Sequence, residues 1–240
     1  MIRQDGRTAE QLRAVKITPG YVNTAPGAVL MEMGQTRVLC TVSVEDRVPP
    51  FLVGKGKGWL TAEYGMLPGS SPQRVARESS TGRPNGRTRE IQRLIGRSLR
   101  AAVDLTRLGE RTLYVDCDVL QADGGTRTAS ITGAWVALVL AVRQLCKDGS
   151  LGDEDVIVAQ IAAVSAGLLG GEALLDLCYS EDSQADTDMN VVMTAAGGII
   201  ELQATAERAP FTREQSQLLL DLTSEGIKQL ADAQCQAVAL

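Results

Sequence analysis

Residues 116–133 read Asp-Cys-Asp-Val-Leu-Gln-Ala-Asp-Gly-Gly-Thr-Arg-Thr-Ala-Ser-Ile-Thr-Gly and link a strand pattern to a helix pattern through a pair of glycines. Apolar alternation predicts a strand over residues 112–120, followed by a loop over residues 121–125. The nearly all-apolar segment 130–145 predicts a helix that is buried on every side. A strand that turns into a core helix defines the centre of a fold, so the rest of the chain must pack around it.

The glycine turn in this stretch has the features of an anion-binding site. Gly124 and Gly125 let the backbone approach a ligand, and the free N–H groups at the following helix start suit an oxyanion. The hydroxyls of Thr126 and Thr128 and the guanidinium of Arg127 add donors aimed at the same point. The spacing and the terminal lysine of a Walker A loop are missing. The alternative interpretation is an ordinary tight turn with threonine capping.

The segment before this strand has helical periodicity over residues 88–105. One side is a core stripe of apolar residues, namely Ile91, Leu94, Ile95, Leu99 and Ala102. Another side is an arginine stripe, namely Arg89, Arg93, Arg97 and Arg100. Four arginines with one acid nearby favour contact with phosphate or a partner, and a solvated outer face is the alternative. Arg87 stands apart on the core side, where it would need an anion or a buried salt bridge.

Positive charge is concentrated in one part of the chain. The net charge is −5, which by itself argues weakly against a nucleic-acid partner. Residues 71–100, however, contain eight arginines and two acids, which gives a local charge of +6. Residues 68–85 form a loop rich in Gly, Ser and Pro that carries Arg74, Arg77 and Arg83. A polyanion therefore has one place to bind.

An acidic turn at residues 181–188 lies between two apolar strands. If the second strand starts near Asp186, then Asp186, Asp188 and Asn190 share one face and Asp182 reaches over from the turn. Such carboxylates can hold one magnesium ion through oxygen and water. A solvated acidic hairpin turn is the alternative. A rival acidic group consists of Asp116, Asp118 and Asp123, and its spacing does not decide between a structural and a catalytic use.

The residue inventory excludes several kinds of site. The chain has no histidine, which removes Ser-His-Asp triads, Cys-His dyads and histidine-ligated zinc. A metal must therefore sit on oxygen ligands, which favours magnesium or manganese. The five cysteines are scattered and odd in number, which is typical of reduced thiols in the cytoplasm. The longest strongly apolar run, residues 133–142, is too short to cross a bilayer, so no membrane association is expected.

The order of these patterns predicts an α+β fold. Apolar runs at 28–33 and 37–45 around Gly34-Gln35 predict a hairpin. Four later runs, at 160–168, 173–178, 189–193 and 199–205, predict a mainly antiparallel sheet. Thr212 and Gln215 are spaced as the capping box of a last helix. Each half is a sheet followed by a helix, so we expect one domain over residues 1–240, with halves of about 1–150 and 151–240 and no linker.

Five stretches together resemble the RNase PH family of bacteria over essentially the whole chain. Three of them are Arg3-Gln-Asp-Gly-Arg7, Tyr64-Gly-Met-Leu-Pro68 and Gly86-Arg-Thr-Arg-Glu-Ile-Gln-Arg-Leu-Ile-Gly96. The others are the 116–133 stretch and the segment from Glu181-Asp-Ser to Asp188-Met-Asn. The resemblance implies an RNase PH-type domain of two pseudo-related sheet-and-helix halves with mixed, mainly antiparallel sheets. It also implies a homohexameric ring, a trimer of dimers.

The resemblance further implies the chemistry of the site. It implies a phosphate site at Arg87, Gly125, Thr126 and Arg127, and a catalytic, metal-associated carboxylate pair at Asp182 and Asp188. In the implied reaction, inorganic phosphate attacks the last phosphodiester of a single-stranded RNA 3′ end and releases a nucleoside diphosphate. Magnesium or manganese would be the cofactor, and tRNA precursors would be the substrates. The larger polynucleotide phosphorylases carry a lysine where Asn190 stands, so the role of Asn190 stays open.

The remaining arginines are expected to serve RNA or subunit contacts, and the candidates are Arg74, Arg77, Arg93 and Arg97. Because only 3% of the residues are aromatic, RNA should be held mainly by its backbone. The alternative function is that of a catalytically inactive RNase PH-like ring subunit that only binds RNA. Such a subunit need not keep both arginines and both carboxylates, and all four are present here.

Overall fold

A computed structural model describes residues 3, 5–82, 85–152 and 155–239 of the chain. Gln4 of the N-terminal motif and Arg83 and Pro84 of the arginine-rich loop lie outside the described residues. Within the described ranges, two sheets enclose one core helix, Thr126–Lys147, and a second long helix, Arg213–Val238, packs beside it against the second sheet and the first strand.

The first sheet is mixed. Its strands are β1 (Val15–Pro19), β2 (Gly27–Met33), β3 (Thr36–Glu45), β4 (Trp59–Met66) and β5 (Thr112–Gln121), in the order β1-β2-β3-β5-β4. Neighbouring strands run antiparallel except for β4 and β5, which are parallel. The predicted hairpin is confirmed, because Met33 pairs with Thr36 across the Gly34-Gln35 turn.

The crossover from β4 to β5 contains a single turn, α1 (Glu78–Thr81), and the helix α2 (Gly86–Arg100). The predicted core stripe of α2 is confirmed, because all five of its apolar residues are buried. The helix begins earlier than predicted because the Asn85 side chain accepts a hydrogen bond from Thr88 N at 2.8 Å and caps it. It ends at Arg100, short of residue 105, because Ala102 and Asp104 pair through their backbones with the 156–158 segment.

Helix α3 (Thr126–Lys147) is the core helix between the two sheets. It starts at Thr126 rather than Ser130, directly after Gly125, which adopts a φ of +62°. A Cβ at Gly133 would lie 2.7 Å from Met31 Cβ, so glycine allows the close approach to β2. By length and composition α3 is the one candidate membrane span among the described residues, but 78% of its most apolar window is buried, as in a core helix.

The second sheet is antiparallel. It consists of β6 (Ile161–Leu169), β7 (Glu172–Leu175), β8 (Thr187–Thr194) and β9 (Ile199–Ala206), in the order β7-β6-β8-β9. A short helix, α4 (Tyr179–Asp182), connects β7 to β8, and α5 (Arg213–Val238) follows β9. The predicted capping box of α5 is confirmed, because Gln215 N donates to Thr212 Oγ1 at 3.2 Å and Thr212 N donates to Gln215 Oε1 at 2.8 Å.

Candidate active site

A cavity of about 500 Å³ lies between the start of α3 and the second sheet. From the first half of the chain, Arg87 near the start of α2 and the glycine turn line the cavity. The second half adds acidic and polar residues. The main lining residues are Arg87, Gly124, Gly125, Thr126, Arg127, Ser165, Tyr179, Asp182, Asp188 and Asn190. All six residues of the predicted phosphate and carboxylate sets therefore lie at one cavity.

Residues 123–126, here called the anion loop, combine two left-handed glycines with a helix start. Gly124 and Gly125 have φ angles of +75° and +62°. A Cβ at Gly124 would lie 2.6 Å from Leu177 O, so only glycine lets the loop pack against the segment before α4. The first N–H groups of α3 have no intrahelical partner, and no side chain caps them. They are therefore available to an oxyanion.

The two threonines in the first turn of α3, Thr126 and Thr128, have structural partners. The Thr126 hydroxyl shares a hydrogen bond of 2.9 Å with the hydroxyl of Tyr64 on β4, and burial raises the pKa of that tyrosine. Thr128 Oγ1 donates to Gly125 O at 2.9 Å and does not line the cavity, so it is not a further donor to the same point as was expected. Threonine capping of the helix, the alternative interpretation, is wrong because neither hydroxyl accepts from the helix start.

Arg87 and Arg127 approach the cavity from different helices, α2 and α3. Arg87 is exposed, so a buried salt bridge is the wrong interpretation of this residue. Helix α2 begins at Gly86, so Arg87 lies in its first turn, before the buried apolar residues of the core stripe. Its side chain therefore faces the cavity and not the core. Arg127 Nη1 donates to Gln203 Oε1 on β9 at 3.4 Å. Two cations therefore flank the anion loop.

Asp182 lies at the end of α4, and Asp188 lies on β8. Burial raises the pKa of both carboxyls, and the charge of Asp182 raises the pKa of Asp188 further, while Arg127 and Arg87 act in the opposite direction. Asn190 Nδ2 donates to both carboxylate oxygens of Asp188, at 3.0 and 3.2 Å. This contact orients the carboxylate of Asp188, which is the structural role of Asn190.

The acidic turn is only partly as predicted. Asp182, Asp188 and Asn190 line the cavity, which a solvated hairpin turn does not explain. Asp186 does not line it, because its Oδ2 accepts from Gly170 N at 3.1 Å. The rival acidic group is divided: Asp116 and Asp118 are neighbours on one face of β5 that does not line the cavity, whereas Asp123 Oδ1 accepts from Tyr179 N at 3.2 Å.

A buried network of ion pairs supports the anion loop. This network was not predicted from the sequence. Asp176 is fully buried with a φ of +53°, and its carboxylate accepts from Arg13 Nη2 at 2.6 Å and from Arg13 Nε at 2.9 Å. Arg13 also donates to the backbone oxygens of Asp123 and Gly124. Thr36 Oγ1 donates to Gly124 O at 2.7 Å. The position of the loop is thus set by buried residues from distant parts of the chain.

The same network fixes the helix that carries Asp182. Arg3 donates to the two carboxylate oxygens of Glu181 at 2.6 and 2.7 Å and to Leu175 O at 2.8 Å. Arg7 lies 3.6 Å from both Asp176 Oδ2 and Glu181 Oε2. The only sequence signal for this role was the Arg3 to Arg7 motif, because the acidic partners lie in the other half of the chain.

The structure separates the four arginines that were predicted to contact RNA or other subunits. Arg74 and Arg77 are exposed in the loop after β4, next to Ser71, Pro72 and Gln73, which line the cavity. Arg93 is exposed on α2. Arg97 pairs with Glu201 of β9, with Nε 3.1 Å from Oε2. Arg97 therefore joins the two halves of the chain and is less available to a ligand than was expected.

Comparison with known proteins agrees with this architecture. The model for the RNase PH 3′ exoribonuclease family, domain 1, matches residues 11–144, and the model for domain 2 of the same family matches residues 159–226. The predicted α+β fold of RNase PH type, with one mixed and one antiparallel sheet, is confirmed.

Three solved structures share the fold at low sequence identity. Rrp46 from rice (Oryza sativa) has 18% identity and a TM-score of 0.80, over 98% of this chain and 100% of that one. A chain of the Archaeoglobus fulgidus exosome with RNA bound to the active site has 22% identity and a TM-score of 0.78, over 96% and 91%. A chain of an archaeal exosome core has 21% identity and a TM-score of 0.75, over 97% and 91%.

Proposed function

We propose that this chain, which belongs to the 3′ exoribonuclease family of RNase PH type, is an active phosphate-dependent 3′-to-5′ exoribonuclease. One observation carries the proposal. Two arginines, an uncapped helix start behind two left-handed glycines, and a pair of carboxylates line one cavity, although they come from both halves of the chain. This arrangement suits a reaction between two phosphate groups.

In the proposed reaction an oxygen of inorganic phosphate attacks the phosphorus of the last phosphodiester of an RNA. The bond from that phosphorus to the 3′ oxygen of the preceding nucleotide breaks. The terminal nucleotide leaves as a nucleoside diphosphate, and the shortened RNA keeps a 3′ hydroxyl after its oxygen takes up a proton. A phosphate dianion is already a nucleophile and needs no strong general base, so a chain without histidine can perform this chemistry.

The anion loop and its flanking arginines would bind the attacking phosphate. The N–H groups at the start of α3 would donate to it, and Arg87 and Arg127 would neutralise its charge and orient it. Tyr64 would act one step further away, because it holds the side chain of Thr126. Phosphate binding is therefore the task we assign to Arg87, Gly125, Thr126 and Arg127.

Asp182 and Asp188 would act on the departing 3′ oxygen. Burial raises the pKa of both carboxyls above their ordinary value, which makes either of them better suited than an exposed aspartate to supply a proton. That proton is the one the 3′ oxygen requires when the bond to phosphorus breaks. Asn190 would keep the Asp188 carboxylate in the orientation that the reaction needs.

If both carboxyls are ionised, the pair fits a divalent cation instead. Among the described residues no group of three or more His, Cys, Asp or Glu side chains forms a complete protein cage. Two carboxylates beside an open cavity suit magnesium, or manganese, because such ions keep several waters and bind substrate phosphates as well. Asp182 and Asp188 would hold the ion, whose positive charge would offset the negative charge of the scissile phosphate.

The substrate would be the single-stranded 3′ end of an RNA, with tRNA precursors as the physiological class. Exposed Arg74 and Arg77 follow the cavity-lining residues 71–73, and Arg93 is exposed on α2; these three arginines would contact the RNA backbone. The assembly would be a homohexamer, a trimer of dimers. Copies of one concentrated basic region would then form a continuous positive surface on a chain whose net charge is −5.

A second candidate function is that of an inactive ring subunit that only binds RNA. The fold shared with Rrp46 and with chains of archaeal exosomes is compatible with this function. Incubation of a 5′-labelled RNA carrying an unstructured 3′ tail, with and without inorganic phosphate, separates the two. We expect shortening of the tail only when phosphate is present, and loss of shortening in Asp188→Asn. An intact tail under both conditions, together with retained RNA binding, would favour the inactive subunit.

A further inference from the structure

The hydroxyl of Ser165 is a buried polar group without a partner in the folded chain. Ser165 is 3% exposed, and its Oγ makes no hydrogen bond to any residue that the structure describes. A buried hydroxyl left unpaired is unfavourable, so such groups in folded proteins usually have a bound partner. Ser165 lines the cavity of the candidate active site. A ligand in that cavity can supply the missing hydrogen bond.

The side chain of Ser165 lies on the same face of the second sheet as the acidic site residues. Ser165 on β6 is directly opposite Asn190 on β8 in the antiparallel register. Side chains of directly opposite residues share one face of a sheet. The Asn190 side chain bonds the carboxylate of Asp188, and both residues line the cavity. The side chain of Ser165 therefore lies on the cavity side of the second sheet, beside Asn190.

Ser165 is also close to the anion loop. Its backbone oxygen accepts a hydrogen bond from Asp176 N at 2.7 Å. The carboxylate of Asp176 lies beneath Gly125, because a Cβ at position 125 would be 3.8 Å from Asp176 Oδ1. Ser165 thus sits between the anion loop and the carboxylate pair, where the proposed reaction places a phosphate group.

We propose that Ser165 Oγ donates a hydrogen bond to an oxygen of a phosphate group bound in the cavity between the anion loop and the carboxylate pair, and that Ser165 is thereby a further substrate-binding residue. This inference rests on the proposed function. Two phosphate groups have the required chemistry, the attacking inorganic phosphate and the terminal phosphodiester of the RNA. Both are oxyanions, to which a serine hydroxyl donates well.

The test compares Ser165→Ala with a matched control, Ser98→Ala. Ser98 is also fully buried with an unpaired hydroxyl, but it lies on α2 and does not line the cavity. Removing either hydroxyl leaves no bond broken within the chain, so neither variant should melt at a lower temperature than the parent by calorimetry. A binding defect confined to Ser165→Ala then reports on the ligand and not on folding.

Binding is measured in two arms. In the first, inorganic phosphate is titrated calorimetrically in the absence of RNA, and in the second a 5′-fluorescent RNA is titrated in phosphate-free buffer. We expect Ser165→Ala to bind one of these ligands about tenfold more weakly, as for a lost hydrogen bond to a charged group, with Ser98→Ala unchanged. Loss in the first arm identifies the attacking phosphate, and loss in the second identifies the phosphodiester.

Unchanged affinity of Ser165→Ala in both arms would overturn the inference while leaving the proposed function intact. A parent protein that binds phosphate and RNA but never shortens the RNA would instead contradict the proposed function, whatever the behaviour of Ser165→Ala. A parent that binds neither ligand would overturn both. The two proposals therefore fail in different ways.

Discussion

At the scale of single residues, the site divides into groups that position phosphate and groups that manage charge. Arg87 and Arg127 approach the anion loop from two helices, while Asp182 and Asp188 lie across the cavity on and before β8. Positioning a co-substrate and stabilising the transition state contribute to different kinetic constants. Substitutions in the two groups should therefore be separable by kinetics.

Loss of either arginine should weaken the use of phosphate. We expect Arg127→Ala or Arg87→Ala to raise the KM for phosphate by at least about tenfold, because a charge-assisted hydrogen bond to the anion is lost. The kcat at saturating phosphate should fall much less. Steady-state kinetics with phosphate varied at saturating RNA measures both constants. If the variants only bind RNA more weakly, the assignment of these arginines to phosphate is wrong.

Substitution of Asp188 should separate activity from stability. Burial and the neighbouring charge of Asp182 raise the pKa of Asp188 above its ordinary value of 3.8. The folded protein therefore binds that proton more tightly than the unfolded chain, and its stability falls as pH rises from the ordinary pKa through the raised one. Asp188→Asn has no ionisable side chain at this position, so this loss of stability is absent at neutral pH.

Because the carboxyl group is lost from the reaction, we expect Asp188→Asn to lower kcat by a factor of about 100 or more. At pH 7 in the presence of a chelator its Tm should be higher than that of the parent. The difference should shrink as the pH falls and should vanish at about pH 3 and below, where the carboxyl is neutral in both the folded and the unfolded state. A variant that melts lower than the parent at pH 7 would contradict this.

The residues that could be predicted from the sequence are those whose role shows in a local pattern. The glycine pair, Arg127 and Asp188 lie in short stretches with a distinctive composition, and the structure brings them to one cavity. Arg13, Asp176 and Tyr64 could not be predicted in the same way. Their partners lie in remote segments, so their roles appear only once both halves are folded together.

At the scale of elements, the interiors of helices and the capped start of α5 were predictable, but the start of α3 and the end of α2 were not. The apolar stripe of α2 is buried as its periodicity requires. The start of α3 depends on the left-handed conformation of Gly125, and the end of α2 depends on backbone pairing with residues 156–158. Neither cause is visible in hydrophobic periodicity. The earlier start of α3 matters for function, because it places Thr126 and Arg127 in the first turn of the helix.

The buried ion pair between Arg13 and Asp176 should be important for both stability and phosphate binding. Asp176→Asn keeps the shape of the side chain and tolerates the φ of +53°, but it leaves the buried Arg13 guanidinium without its charge partner. We expect a loss of about 3–5 kcal/mol of unfolding free energy, measured by urea denaturation. The surviving folded protein should bind phosphate less tightly, because Arg13 also holds the anion loop.

A matched control is Glu45→Gln, which removes the partner of Arg47 from an ion pair of the same 2.6 Å length. That pair is exposed, with side chains that are 40% and 76% accessible, so the loss should be below about 1 kcal/mol. Equal effects of the two substitutions would show that the buried network has no special role.

At the scale of the whole molecule, the distribution of charge favours an assembly. The exposed arginines of the loop after β4 lie beside residues that line the cavity. We expect the parent to be hexameric at micromolar concentration by light scattering, and Arg74→Ala with Arg77→Ala to shift it towards smaller species, because contacts at a subunit boundary are partly desolvated. Activity on a tRNA precursor should fall in parallel.

Two outcomes would contradict this expectation in different ways. A parent that is monomeric at micromolar concentration excludes the ring. A double variant that stays hexameric with unchanged activity on the tRNA precursor shows that the ring, if present, does not depend on Arg74 and Arg77.

The most direct test of phosphorolysis follows the phosphorus atom of the co-substrate. The parent is incubated with an unlabelled RNA that has an unstructured 3′ tail, magnesium and radiolabelled inorganic phosphate, and the nucleotides are separated by chromatography. We expect the label to appear in the β-phosphate of nucleoside diphosphates and to return to inorganic phosphate when excess diphosphate drives the reaction backwards. Release of unlabelled nucleoside monophosphates, at a rate independent of phosphate, would contradict it.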